Sequence, residues 1–240
     1  MAAEEILPGI HAVPIRLGIL PYVNAFLIVG QEVVLVDTGL PRRAGVLAAA
    51  VRAAGRRPSD VRHVLVTHHH ADHTGNLADV VRATGATAYV HSLDAPVVRG
   101  ERPAPGPSRP GPLITLLEWY GRRSGLSTAE PCPTFELVQD GQDLDLAGGV
   151  RVLHTPGHTP GHVSYFLPSR RLLFAGDAAG ALLGRVGTPL GSFTEDMDRA
   201  KQSIRALAEL DFDVACFGHG SVIRRDGASR FRALVEKLAR

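Results

Sequence analysis

The sequence predicts an α/β fold assembled from two similar halves, and three observations carry that expectation. Short apolar, β-branched runs alternate with helical segments closed by glycine. A strand, a tight turn and a second strand leading to aspartate occur twice. "FLIVGQEVVLVDTG" (26–39) leads to Asp37, and "YFLPSRRLLFAGDA" (165–178) leads to Asp177. Later in each half an apolar strand runs into histidine, "VLVTH" to His68 and "ACFGH" to His219. One supersecondary plan used twice explains that order better than chance likeness between apolar hairpins.

In the first half, strands are expected at 10–15, 25–29, 33–37, 63–67 and 87–91, each β-branched and bounded by turn residues. Helices are expected at 41–55 and 76–85, each closed by a glycine. The second half offers strands at 150–154, 163–167, 171–175 and 213–218, with helices over 195–209 and 228–240. Between the halves, "VVRGERPAPGPSRPGP" (97–112) is too rich in proline for regular structure. "LITLLEWYGRRSG" (113–125) then reads as a short amphipathic helix carrying Trp119 and Tyr120. The whole chain, 1–240, is read as a single domain, with the insert at about 97–130 as a candidate lid over a site. A disordered linker and a dimer contact through Trp119 are the competing readings.

The chain has 240 residues, 45% hydrophobic and 21% charged, enough to bury a core without disulfides. Its formal net charge is +2, and its arginine pairs are scattered, so nucleic acid has no electrostatic footprint here. Cys132 and Cys216 stand far apart and fit no CxxC spacing, which suits a reducing cytoplasm. "MAAEEILPGIHAVPI" lacks the apolar stretch of an export signal, and no apolar run approaches the ~18 residues of a membrane span.

"THHHADHTGN" (67–76) packs four histidines and one aspartate into His68–His73, where a buried strand ends. Residues two apart in extended backbone point the same way, so His68 and His70 can grip one ion together. Asp72 and His73 can aim at a second point as the chain turns. His69 falls between the pair and should face away. A histidine tag would sit at a terminus and would not interpose Ala71 and Asp72. Further donors follow other apolar strands: His154, His158 and His162 in "HTPGHTPGH" (154–162), Asp177 in "FAGDA", and His219 in "FGHG". A lone histidine after a strand is ordinarily a satisfied polar cap; several together are not. Imidazole and carboxylate donors without thiolate suit zinc, iron or manganese. Cation-bound water ionises near neutral pH, with a pKa falling from 15.7 to about 7, so such a site can present hydroxide.

These pieces, "VDTG" (36–39), "THHHADH" (67–73), "TPGHTPGH" (155–162), "FAGDA" (174–178) and "FGHG" (217–220), resemble the metallo-β-lactamase-fold hydrolase superfamily. They occur in the family's order over roughly residues 10–220, and no ligand position departs from the pattern. The resemblance implies a four-layer αββα sandwich with two divalent cations, zinc first and iron or manganese as alternatives. His68, His70 and His158 would hold one cation, and Asp72, His73 and His219 the other. Asp177 would bridge them, so that they share a hydroxide, and Asp72 would also orient this nucleophile and carry its proton. Asp37 would lie behind the site, orienting ligands by hydrogen bonds. His154 and His162 match no ligand position, and they, with His11, His63 and His91, are read as making local hydrogen bonds.

Four function classes follow. The intact ligand set favours a hydrolase of a small-molecule ester, thioester or lactone. A mono-iron persulfide oxidoreductase of the same superfamily would carry a "GRTD"-like stretch, which "GALLGRVGTPLGSF" (180–193) does not match. A nuclease would bring basic or RNA-gripping modules, and a nonenzymatic sensor would have lost ligands. Glutathione thioesterases add a helical C-terminal domain, where only 228–240 stands here; lactonases are a fair alternative, and β-lactams fit poorly without an export signal. The expected partner is a small molecule, with neither nucleic acid nor membrane, and a homodimer is left open.

Overall fold

Strands apolar on both faces need a cover on each side, and the architecture supplies it twice. The computed structural model describes residues 3–16, 23–108 and 111–239. β1 (Glu4–Leu7), β2 (Ile10–Ile15), β3 (Val23–Val29) and β4 (Val33–Val36) pair antiparallel in chain order. α1 (Ala44–Ala53) then crosses over to β5 (Val61–Leu65), which is parallel to β4. α2 (Ala71–Thr74) and α3 (Leu77–Thr84) lead to β6 (Thr87–His91). α4 (Ala95–Val98), α5 (Pro112–Ser124) and β7 (Glu136–Val138) complete the first half, with β5, β6 and β7 all parallel.

The second half opens with β8 (Asp143–Leu144), β9 (Val150–His154), β10 (Val163–Leu167) and β11 (Leu172–Gly176). A small hairpin of β12 (Gly180–Leu182) and β13 (Arg185–Gly187) follows. α6 (Met197–Ala208) crosses over to β14 (Val214–Phe217), parallel to β11, and α7 (Gly227–Leu238) closes the chain's described part. The sheet order is β14-β11-β10-β9-β8. An antiparallel hairpin, a crossover helix and a parallel strand therefore recur as β3-β4-α1-β5 and β10-β11-α6-β14. That is the repeat the sequence suggested.

Burial defines four layers. Phe26, Val36, Leu65 and Tyr89 of the first sheet pack on Val152, Tyr165, Phe174 and Cys216 of the second. The first sheet's other face buries Leu47 and Val51 of α1 with Leu77 and Val80 of α3. The second sheet's other face buries Ile204 and Leu207 of α6 with Phe231 and Leu234 of α7. This is an αββα sandwich.

Three departures from the sequence reading have local causes. β5 ends at Leu65 rather than at Thr67, because the Thr67 N–H leaves the ladder and donates to Asp37 Oδ1 at 2.8 Å. β4 ends before Asp37, whose φ of 57° is left-handed. The β12–β13 hairpin went unforeseen because its turn uses Leu183 and Gly184, at φ 50° and 73°, where asparagine and glycine are the usual pair. In the insert, α5 forms where a helix was expected, with Trp119 and Tyr120 exposed; Arg109 and Pro110 lie outside the described residues. Among the described residues no helix is long and apolar enough to cross a membrane.

Phe26 and Phe174 meet across the two sheets with ring centroids 5.2 Å apart. Replacing Phe174 by alanine leaves a cavity there and should cost about 3–5 kcal/mol in denaturant unfolding. Leu182→Ala, on the exposed hairpin, should stay within about 0.5 kcal/mol of the parent.

Candidate metal centre

Every candidate donor follows a strand that ends at the same edge. β4, β5 and β6 are parallel, so Asp37, the 66–70 segment and the turn after His91 emerge together. β9, β11 and β14 point the same way, delivering the 155–162 turn, Asp177 and His219. Strand carboxyl ends are where open α/β sheets place their sites.

The seven donors meet there in overlapping groups. Ligand atoms of His68, His70 and His158 lie within 4.8 Å of one another, as do those of Asp72, His73 and His219. Asp177 stands between the groups. Its Oδ1 is 3.6 Å from His73 Nε2, and its Oδ2 is 3.5 Å from His158 Nε2 and 3.4 Å from His219 Nε2. His219 Nε2 is also 3.2 Å from Asp72 Oδ2. His68, His73 and His158 are buried, whereas Asp72 and His219 keep 32% and 37% of their side chains exposed. The cluster therefore opens to solvent on the Asp72–His219 side.

Hydrogen bonds set which nitrogen each buried ring turns inward. Thr67 Oγ1 donates to Asp37 Oδ2 at 2.7 Å, so at its 3.0 Å contact with His68 Nδ1 it accepts. His68 thus carries its proton on Nδ1 and keeps the Nε2 lone pair. His73 Nδ1 donates to Asp37 Oδ2 at 2.8 Å, which turns its Nε2 toward the cluster. Thr194 Oγ1 donates to Leu190 O at 2.9 Å and accepts from His158 Nδ1 at 3.3 Å. Three Nε2 atoms consequently face the cluster. Two of them, on His68 and His73, are buried without a hydrogen-bond partner, and so is Asp177 Oδ1. Orphaned buried polar atoms are costly, and divalent cations held among these donors would satisfy them. The residues fit the metal that the sequence suggested.

The electrostatics agree. Burial, with neighbouring imidazoles, holds His68 and His158 well below the ordinary histidine range and pushes His70 down to about 3. Neutral imidazole is the form that ligates. Burial would lower His73 and His219 too, but Asp177 and its neighbouring carboxylates overrule it and push them up to about 10 and about 9. Asp177 is raised by burial, despite His219 and His73. This corner is a dense set of opposed charges into which a cation fits.

Backbone supports complete the site. Asn24 Nδ2 donates to Phe217 O and Gly220 O, both at 3.0 Å, holding the loop that carries His219. Gly218 is required there, since a Cβ would collide with Asp177 Oδ1 and His73 Cε1. His162 is not among the grouped donors; its Nε2 accepts from Asp177 N at 2.9 Å. His154 Nε2 bonds Pro160 O at 2.9 Å, and its ring stacks on His91 at 4.2 Å. His63 sits between Glu32 and Tyr89. His69 turns away from the cluster onto Asp94. Thr67, Asn24, Asp94 and Thr194 were not foreseen. The motif "VTHHH" hinted only at Thr67, as the polar residue closing a buried strand.

The model of the Metallo-beta-lactamase superfamily matches residues 18–219. "Probable metallo-hydrolase YflN" of Bacillus subtilis (strain 168) is 29% identical, over 99% of this chain and 92% of its own length. A hydroxyacylglutathione hydrolase of Rhizobium meliloti (strain 1021) is 33% identical over 70% of this chain and 51% of its own length. Among solved structures, a metallo-beta-lactamase family protein from Thermus thermophilus aligns with a TM-score of 0.73 at 28% identity. That alignment covers 98% of this chain and 81% of the other. BJP-1, a subclass B3 metallo-beta-lactamase of Bradyrhizobium japonicum, shares the fold with a TM-score of 0.70 at 20% identity, covering 100% of this chain and 92% of its own. With its family match spanning most of its length and its donors gathered at one edge of an αββα sandwich, the chain belongs to the metallo-beta-lactamase superfamily of metallo-hydrolases.

Proposed function

We propose that this chain hydrolyses a small-molecule ester, thioester or lactone using two divalent cations, zinc in the first instance. The observation that carries the reading is the Asp177 carboxylate, one oxygen facing His73 and the other facing His158 and His219. His68, His70 and His158 would hold one cation, and Asp72, His73 and His219 the other, with Asp177 between. Bound cations would supply Lewis acidity toward the acyl oxygen and a water acidified enough to attack at neutral pH.

The protein's own groups do the rest. Asp37, Thr67 and Thr194 engage the Nδ1 side of the inward rings, leaving Nε2 toward the cluster. The buried wall of His68, His73 and His158 leaves approach from the Asp72–His219 side. Hydrolysis joins the water oxygen to the acyl carbon and breaks the acyl–oxygen or acyl–sulfur bond. Asp72, at the solvent mouth, would accept the water's proton and pass it to the leaving group. The insert is the candidate for substrate selection: Ser108 N donates to Ser192 O at 2.9 Å, close in sequence to Thr194, which bonds His158. Both cysteines are free and buried, on which ground we place the enzyme in the cytoplasm.

Elemental analysis of protein purified without chelator should find two zinc ions per chain, and a panel of thioesters, lactones and phosphodiesters should show turnover of the first two. A single iron with oxygen uptake would overturn the reading. Chelation should abolish turnover, and added zinc should restore it. Asp72→Asn should lower kcat by about 10²–10⁴-fold. Deleting residues 100–125 should change the order of preference across the panel; an unchanged order would refute the role given to the insert.

A further inference from the structure

His69 and Asp94 take no place among the seven donors, yet they meet directly behind them. Asp94, in the turn after β6, is 1% exposed. Its Oδ2 accepts from His69 N at 2.9 Å and from Thr159 Oγ1 at 2.8 Å, and its Oδ1 accepts from Gly161 N at 2.8 Å. His69 Nδ1 lies 3.1 Å from Oδ2, an ion-pair distance without the alignment of a hydrogen bond. Burial alone would raise this carboxyl, but the contacts with His69, Thr159 and Gly161 outweigh it and hold Asp94 below its usual range. The fit is tight: a Cβ on Gly161 would stand 2.6 Å from Asp94 N and against its carboxylate.

The positions of these donors matter. His69 N sits in the backbone between His68 and His70, and Thr159 follows His158 directly. One carboxylate therefore ties the loop bearing two of the three histidines to the turn bearing the third. The first loop belongs to the first half of the chain and the second to the other half. The Asp72–His73–His219 group has different supports, Asp37 on His73 and Asn24 on the 217–220 loop.

We propose that Asp94 is a positioning residue that sets the spacing of the His68–His70 loop against the His158 turn, and so sets cation affinity at that triad alone. The inference rests on the two-cation reading above. Asp94→Asn keeps the shape but leaves one acceptor oxygen for donors that now occupy two. Metal-free parent and variant would be titrated with Co²⁺, followed by visible absorption, and with Zn²⁺ by calorimetry. The variant should lose about 10–100-fold in affinity for one of two equivalents and hold the other within about twofold. In a His158→Ala background, Asp94→Asn should leave the remaining equivalent unchanged, which assigns the effect to the three-histidine triad. Thr159→Val should reproduce the selective loss in milder form, and combining it with Asp94→Asn should cost less than the two losses multiplied.

Equal weakening of both equivalents, or no weakening of either, would overturn the proposal. Should Asp94→Asn fail to fold, Thr159→Val alone carries the same test. A parent that binds two cations but cleaves no ester, thioester or lactone would remove the hydrolase reading and leave the role of Asp94 standing.

Discussion

Asp37 accepts hydrogen bonds from Thr67 N, Thr67 Oγ1 and His73 Nδ1 with one buried carboxylate, and the rest of the centre depends on that arrangement. It pulls Thr67 out of the β5 ladder, which starts the ligand loop. It orients Thr67 Oγ1 so that His68 holds its proton on the outer nitrogen. It does the same for His73 directly. The geometry needs Asp37 in the left-handed region, at φ 57°, a conformation that aspartate tolerates better than most residues. Strain of this kind persists where surrounding structure over-determines it. Here the adjoining strands β4 and β5 and the two rings do so.

Crowded imidazoles follow from this constraint. His68 has ring neighbours at 4.1 Å (His73) and 4.7 Å (His70 and His158). Such a packing is tolerable only if most rings stay neutral, and burial keeps His68, His70 and His158 neutral. The opposite corner has the reverse balance, with Asp37, Asp72 and Asp177 around His73 and His219. The centre is thus graded, from a dry neutral triad at the back to a charged, half-wet triad at the mouth. That gradient suits a reaction in which substrate and proton arrive from one side.

The two halves meet only in part through apolar packing. Tyr165 Oη donates to Val66 O at 2.8 Å, and Val163 N donates to Thr67 O at 2.8 Å, both from the second half to the strand end that starts the ligand loop. Asp94 adds a third polar tie at the same place. The sheets supply the stability of the sandwich, and these few bonds align its two edges. Alignment is what a shared carboxylate such as Asp177 needs, since its oxygens face residues from both halves.

The sequence by itself determined the α/β class, the internal repeat and the candidate donors. Periodicity, turn residues and donor spacing are local properties, and the motifs from "VDTG" to "FGHG" carry them in order. His68 and His70 were legible as a pair because extended backbone puts alternate residues on one side. Tertiary structure decided the rest. Which nitrogen of each ring faces inward depends on Thr67, Asp37 and Thr194, and Thr194 lies 36 residues from His158. Asp94 was invisible because its partners stand 25 and 65 residues away and its own stretch, "HSLDAP", reads as an ordinary turn. Hydrogen bonds across such distances exist only once the two sheets have packed, so no local pattern announces them.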